Sequence, residues 1–408
     1  ITALQQFNFT KAFIGANGVA LNVGFLAVYT VAGNVEERKS VLEHHQKGAI
    51  FITSYDLLRR DIELYQQLTF AYQIIDEAQF IKNATTKAAK AVKQIASDFR
   101  IALTGTPVEN HLGELWSIFD YLMPGYLYSY KRFHVTFEIP IVQIGNPAAL
   151  ERLQKLIAPF VLRRLKKDVL KDLPEKLEKN MFTPLTGDQE DLYRAHVQRL
   201  EVLLSKQSQE EFNQSKIEIL AELTKLRQLC CDPALLYENY QAGSAKLDLC
   251  LELVQNAISG GHKILIFSQF TTMLDGIAER LKQENIPYYV LKGSTPKQER
   301  MQLVTAFNQD ETPVFLISLK AGGTGLNLTA ADIVIHYDPW WNTAVQNQAT
   351  DRAQNKVLVY RLIAQNTIEE KILRLQEKKA QLADQILGGE TTKNPAFSRE
   401  ELLALLQD

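Results

Sequence analysis

The apolar positions of the chain fall into two textures. Short apolar runs that end in polar residues occur at 48–55 (GAIFITSY), 71–77 (AYQIIDE) and 100–104 (RIALT), and 83–99 carries Ala and Lys at helical spacing between the last two. Runs of this length with polar ends read as buried strands, and strands alternating with helical segments predict an α/β domain with a parallel sheet. From about 145 to 245 the texture changes to long amphipathic patterns, ALERLQKLIAPFVLRRLKKDVL, DLYRAHVQRLEVLLSKQ and KIEILAELTKLRQL, punctuated by Pro159, Pro174, Pro184 and Pro233. A helical segment is expected there. From Lys246 the alternation returns, with strands KILIFS, YYVLK, VFLIS, DIVIHYD and VLVYRLI among helices expected over 246–259, 271–285, 297–308, 342–352 and 367–386. A capping box from Ser398 to Glu401 precedes Leu402, Leu403, Leu405 and Leu406 and predicts a docked C-terminal helix over 391–408.

Composition narrows the class without naming a chemistry. With 408 residues, 46% hydrophobic and 23% charged, the chain reads as a globular protein of two or three domains. Its 45 basic and 47 acidic residues give a formal charge of -2, so any nucleic-acid partner must be met by a local basic surface. Three cysteines, two of them adjacent at Cys230 and Cys231, form neither a disulfide framework nor a zinc-site spacing. They are expected to be buried packing residues. No apolar stretch reaches spanning length and no signal-like N-terminus is seen, so a cytoplasmic protein is expected, nucleoid-associated if bacterial and nuclear if eukaryotic.

The strand ends carry the candidate chemistry. Asp76 and Glu77 close an apolar strand. A nucleotide hydrolase needs one carboxylate for the hydrated Mg²⁺ that bridges the phosphates and a second to orient the attacking water. Alone, such a pair reads first as an ordinary acidic turn. Its company changes the reading: Thr104-Gly105-Thr106-Pro107 ends the next strand with two hydroxyls, and Lys320-Ala321-Gly322-Gly323-Thr324-Gly325 follows a later one with glycines that allow backbone amides to approach phosphates. Gln348-Ala349-Thr350-Asp351-Arg352 lies on an expected helix, and an arginine there suits a finger on a γ-phosphate as well as a surface ion pair. Trp340 and Trp341 read as packing beside this region rather than as base-stacking platforms.

Taken in order, these elements resemble the SWI/SNF-type DNA-dependent ATPases, helicase-like double-stranded DNA translocases. IIDEAQ at 74–79 is similar to motif II, ALTGTP at 102–107 to motif III and KILIFSQF at 263–270 to motif IV. ISLKAGGTGLNLTAADIVIHYDPWWN at 317–342 is similar to motif V and QATDRA at 348–353 to the start of motif VI, while PFVLRRLKKDVLKDLPEK and LRQLCCDP look like blocks of the family's helical protrusions. The resemblance implies an α/β fold of two RecA-like P-loop NTPase lobes with parallel sheets and helical insertions between them. It divides the chain into a partial first lobe over 26–144, a helical insertion over 145–245 and a second lobe over 246–390. It also implies ATP and Mg²⁺ as cofactors and double-stranded DNA as partner; with no chromodomain, bromodomain or zinc module visible, a compact microbial member is expected, and a monomer is expected although the sequence does not determine the oligomeric state. On the matching positions it makes Asp76, Glu77 and Arg352 catalytic, with Gln348, Gly323 and Gly325 binding nucleotide and Gln79, Thr104, Gly105 and Thr106 relaying its state. Ser268, Gln269, Lys320 and Thr324 would meet DNA, and the locally basic stretch with Arg163 and Arg164, expected to be helical, suits phosphate contact, bracing of the two lobes or a solvated face.

Two departures from the pattern bear on activity. No G-x-x-x-x-G-K-[ST] phosphate loop occurs, and Ala353 runs directly into Gln354-Asn355-Lys356-Val357 where relatives continue with a second arginine. A complete motor of this pattern is expected to have several tens more residues before Leu26 and a few after Ala353; a true deletion would leave a catalytically silent DNA-binding scaffold. Residues 1–25 are expected to stand outside the lobe, since FTKAFIGANG at 9–18 weakly resembles the sugar-phosphate effector domain of DeoR-type repressors. That segment alone motivates a sugar-responsive repressor as a remote alternative. An RNA helicase is the nearer competitor, disfavoured by DEAQ, LTGTP and the long helical insertion.

Overall fold

The computed structural model describes residues 12–15, 27–45, 48–105, 112–164, 177–205, 209–322, 326–340, 350, 358–374 and 376. The chain forms two units, one over 1–161 with 381–395 and one over 162–380 with 396–408. Among the described residues no helix is long and apolar enough to cross a membrane.

The first unit is built on a five-stranded parallel sheet in the order β2-β3-β1-β4-β5. Its strands are β1 (Ala12–Gly15), β2 (Val28–Thr30), β3 (Ile50–Thr53), β4 (Thr69–Ile75) and β5 (Ala96–Ala102). Ile50, Phe51, Ile52 and Thr53 are all buried, as a central strand covered on both faces requires. Helices α1 (Val35–Glu43), α2 (Tyr55–Arg60), α3 (Ile62–Gln66) and α4 (Lys87–Lys93) connect the strands. Ser54 and Thr86 cap α2 and α4 by accepting from Leu57 N and Ala89 N, which fixes where each strand-to-helix turn ends. The helix expected over 83–99 stops at Lys93: Ala96 already pairs with Thr69, so the ladder takes over from the helical pattern. Residues 1–25, expected outside the lobe, supply β1, whose backbone pairs in parallel with both β3 and β4. Beyond the sheet, α5 (Gly113–Leu122), α6 (Tyr130–Phe133) and α7 (Pro147–Ile157) share a core of Leu115, Phe119, Phe133, Phe137, Leu150 and Leu153.

The second unit holds a six-stranded parallel sheet in the order β6-β11-β10-β7-β9-β8. The strands are β6 (Leu177–Thr183), β7 (Ile264–Ser268), β8 (Tyr288–Leu291), β9 (Val314–Ser318), β10 (Ile333–His336) and β11 (Leu358–Ala364). Five of them fall where the apolar runs predict. Every residue of β7, β9 and β10 is buried, so side chains of alternating orientation feed two cores, one on each face of the sheet. Helices α8 (Asp188–Ser205), α9 (Gln209–Cys231), α10 (Ala245–Ser259), α11 (Thr271–Gln283), α12 (Lys297–Gln309) and the short α13 (Leu319–Gly322) run between these strands. Lys246 of α10 and Glu369, both fully buried, form an ion pair across the unit.

The segment expected to be a single helical insertion over 145–245 is divided. Its first helix, α7, belongs to the first unit, while α8 and α9 pack Leu200, Leu204, Leu223 and Leu226 against Ile368 and Ile372 of the second. Between them β6 pairs along its whole length with β11. Its apolar content is too sparse to advertise a strand, since Leu177 to Asn180 are all exposed on the sheet edge. The three cysteines are free and buried, as expected. The C-terminal helix expected over 391–408 and the helix expected over 342–352, apart from Thr350, lie outside the described residues.

Candidate nucleotide-hydrolysis site

In a parallel sheet every strand delivers its carboxyl end to the same edge, and ligands collect there. In the first unit that edge carries Thr53 into Tyr55, Ile75 into Asp76 and Ala102 into Thr104. The β4 and β5 ends are stitched by backbone bonds beyond the strands: Leu103 N donates to Ile75 O at 2.8 Å and Ala78 N to Leu103 O at 2.9 Å. Asp76 and Glu77 therefore sit on a turn held from both sides.

Glu77 adopts φ 50°, ψ 53°, a left-handed conformation unfavourable for a residue with a Cβ. Its amide donates to Asp76 Oδ1 at 2.9 Å. Gln79 Nε2 donates to Glu77 Oε2 at 2.5 Å, and Thr104 Oγ1 donates to Gln79 Oε1 at 2.9 Å. One orientation of the Gln79 amide satisfies both partners, so Thr104, Gln79 and Glu77 form a directed relay from the end of β5 to the second carboxylate. Asp76 is half-buried, and burial together with the neighbouring Glu77 charge raises its pKa above the usual carboxylate range. A cation at Asp76 would relieve that cost, and the carboxylate fits a water-mediated Mg²⁺ contact. Among the described residues no group of three or more metal-ligating side chains converges. Gly105 is exposed with open space where a Cβ would stand, and Thr106 lies outside the described residues.

In the second unit and at its start, the expected DNA-contacting residues sit in two kinds of surroundings. Ser268, expected at the DNA backbone, is buried at the end of β7, where its hydroxyl donates to Asp338 Oδ1 at 2.6 Å. Gln269 N also donates to Asp338 Oδ1, at 3.2 Å, which ties the β7 end to the residues after β10. Arg163 and Arg164, expected on a basic helix, are exposed in non-helical chain. The helix ends at Ile157 because Pro159 follows and Val161 is extended. Lys320 lies in α13, directly after β9, while Gly323, Thr324, Gly325, Gln348 and Arg352 lie outside the described residues. Trp340 packs half-buried on the β9 and β10 core, in line with a packing role.

Three partners escaped the sequence reading: Tyr55, whose hydroxyl donates to Asp76 O at 2.7 Å, Asp338, and Arg227, whose Nη2 donates to Pro339 O at 2.6 Å. A Tyr directly after an N-cap serine at a strand end is a usable signal for the first. Nothing local marks the other two.

Comparison with known proteins bears on the family and the fold. The SNF2-related domain matches residues 21–235 and the helicase conserved C-terminal domain matches 245–356. An uncharacterized ATP-dependent helicase of Mycoplasma genitalium is 39% identical over 93% of this chain and 37% of its own length. The putative ATP-dependent helicase/translocase YwqA of Bacillus subtilis is 42% identical over 89% of this chain and 41% of its own length, so the chain spans about two-fifths of such relatives. The solved SWI2/SNF2 ATPase core domain of Sulfolobus solfataricus is 33% identical, covers 100% of this chain and 86% of its own, and superposes with a TM-score of 0.50. With both domains matched in order on two parallel α/β units, the chain belongs to the SNF2 family of ATP-dependent helicase-like proteins and has that family's two RecA-like lobes.

Proposed function

We propose that the chain is the motor part of an ATP-dependent translocase on double-stranded DNA that remodels protein–DNA complexes. The observation that carries this reading is the relay from Thr104 through Gln79 to Glu77, beside the half-buried Asp76, at the carboxyl edge of a parallel sheet. Glu77 has the partner needed to hold its carboxylate toward an attacking water, and Thr104 links that carboxylate to the β5 end. Mg²⁺ held through water by Asp76 would neutralise phosphate charge. Arg352 is assigned as the finger on the γ-phosphate, with Gln348, Gly323 and Gly325 at the nucleotide. Gly105 and Thr106 are assigned to coupling nucleotide state to movement. Gln269, Lys320, Thr324, Arg163 and Arg164 are assigned to the DNA backbone, so affinity should fall steeply with salt. The chain's near-neutral charge leaves binding to these local groups.

DNA-stimulated phosphate release tests the proposal. Glu77→Gln should abolish release while duplex DNA binding persists; unchanged release would overturn the assignment. A second reading, a silent DNA-binding scaffold, is favoured by the absence of a G-x-x-x-x-G-K-[ST] sequence. Duplex binding by the wild-type chain with no phosphate release would establish it.

A further inference from the structure

The peptide unit joining Asp76 to Glu77 is held at both of its polar ends. Its N–H donates to Asp76 Oδ1 at 2.9 Å, and its C=O accepts from Tyr55 Oη at 2.7 Å. The plane of this one peptide sets ψ of Asp76 and φ of Glu77, and φ of Glu77 is +50°. A flip of the plane would release Glu77 from the left-handed region into a conformation that a residue with a Cβ prefers. Neighbouring carbonyls are engaged elsewhere, Ile75 O by Leu103 N and Glu77 O by Phe80 N, so neither bond fixes the orientation of this unit. Tyr55 comes from a different element, the first turn of α2, where Ser54 caps the helix and Phe80 lies against the phenol ring at 5.5 Å between centroids.

We propose that Tyr55 is a positioning residue for hydrolysis: its hydroxyl clamps the Asp76–Glu77 peptide and thereby holds the Glu77 carboxylate where Gln79 meets it. The kinetic consequence rests on the proposed hydrolytic role of Glu77; the clamp itself does not. Tyr55 needs no contact with nucleotide, so its loss should act on turnover and leave ground-state binding in place.

The test is Tyr55→Phe in the full chain, which removes one oxygen and keeps the ring against Phe80. Amide exchange followed by NMR should show the Glu77 and Ala78 amides exchanging roughly fivefold faster or more, with amides of α4 and β3 unchanged. In DNA-stimulated hydrolysis, kcat should fall roughly five- to tenfold at a KM for ATP within about twofold of wild type. Unchanged exchange at Glu77 overturns the clamp. Faster exchange with unchanged kcat, or a loss carried by KM with a lowered melting temperature, overturns the positioning role and leaves a merely structural hydroxyl. A wild-type chain that hydrolyses no ATP would refute the proposed function, and the exchange measurement would still decide the clamp.

Discussion

Arg227→Met tests how the long helix α9 is fastened to the second sheet. Arg227 and Asp338 are 5% and 1% exposed, with Nη2 3.8 Å from Asp338 Oδ2, and the same nitrogen donates to Pro339 O at 2.6 Å. Asp338 Oδ1 accepts from Ser268 Oγ and Gln269 N. Burial pushes the Asp338 pKa up, and Arg227 and then Ser268 pull it back. Methionine fills much of the arginine's volume but leaves a buried carboxylate without its cation, a loss of about 3–5 kcal/mol. All three cysteines are buried in this unit, so thiol labelling reads its opening selectively. At about 1.4 kcal/mol per tenfold, labelling should accelerate by roughly a hundredfold or more. Adding Asp338→Asn keeps an acceptor for Ser268 and removes the stranded charge, so the double variant should regain about 0.5–3 kcal/mol over the single one. The sign with pH is fixed as well. A carboxyl whose folded-state pKa is raised favours the folded form below its unfolded pKa and loses that contribution as pH rises through the folded value. Without Arg227 the folded value climbs further, so the deficit against wild type should shrink on acidification. Labelling accelerated less than about fivefold, or a double variant no more stable than the single, would refute the buried pair as the fastening.

Two further outcomes follow from the hydrolysis site. Thr104→Val removes the donor to Gln79 Oε1 while the Leu103–Ile75 backbone bond remains, so DNA-stimulated hydrolysis should fall by about fivefold with little change in melting temperature; unaltered stimulation would show that the relay does not serve turnover. Asp76 must be ionised to hold Mg²⁺, and its pKa is raised by burial and by Glu77, so Mg²⁺·ADP binding measured by calorimetry should weaken on acidification. Glu77→Gln removes the like charge and should move that acid limb to lower pH; a limb that stays in place would mean that Glu77 does not load Asp76.

The sequence by itself determined which polar residues end the strands and where most strands of the two sheets lie. Apolar runs such as ILIFS and VFLIS are buried at every residue, and a run of that kind has few alternatives to a strand covered on both faces. Asp76, Glu77 and Thr104 were legible as positions for the same reason: they follow directly on apolar runs that stop, and parallel strands must bring those ends to one edge, whereas Gln79 was reached only through the resemblance of IIDEAQ to motif II. Tertiary structure decided what periodicity does not encode. The edge strand β6 forms only because β11 offers its ladder, and its exposed, charged residues carry no strand pattern of their own. The helical segment divides between the two units because α7 shares its core with α5, whereas α8 and α9 share theirs with Ile368 and Ile372. Ser268 turned inward because Asp338, brought alongside by the pairing of β10 with β7, is a buried acceptor that a hydroxyl satisfies. Tyr55 and Asp76 lie 21 residues apart, and Arg227 and Pro339 lie 112 apart. Local pattern records which face of an element is buried; the order of strands in the sheet decides which buried groups become neighbours.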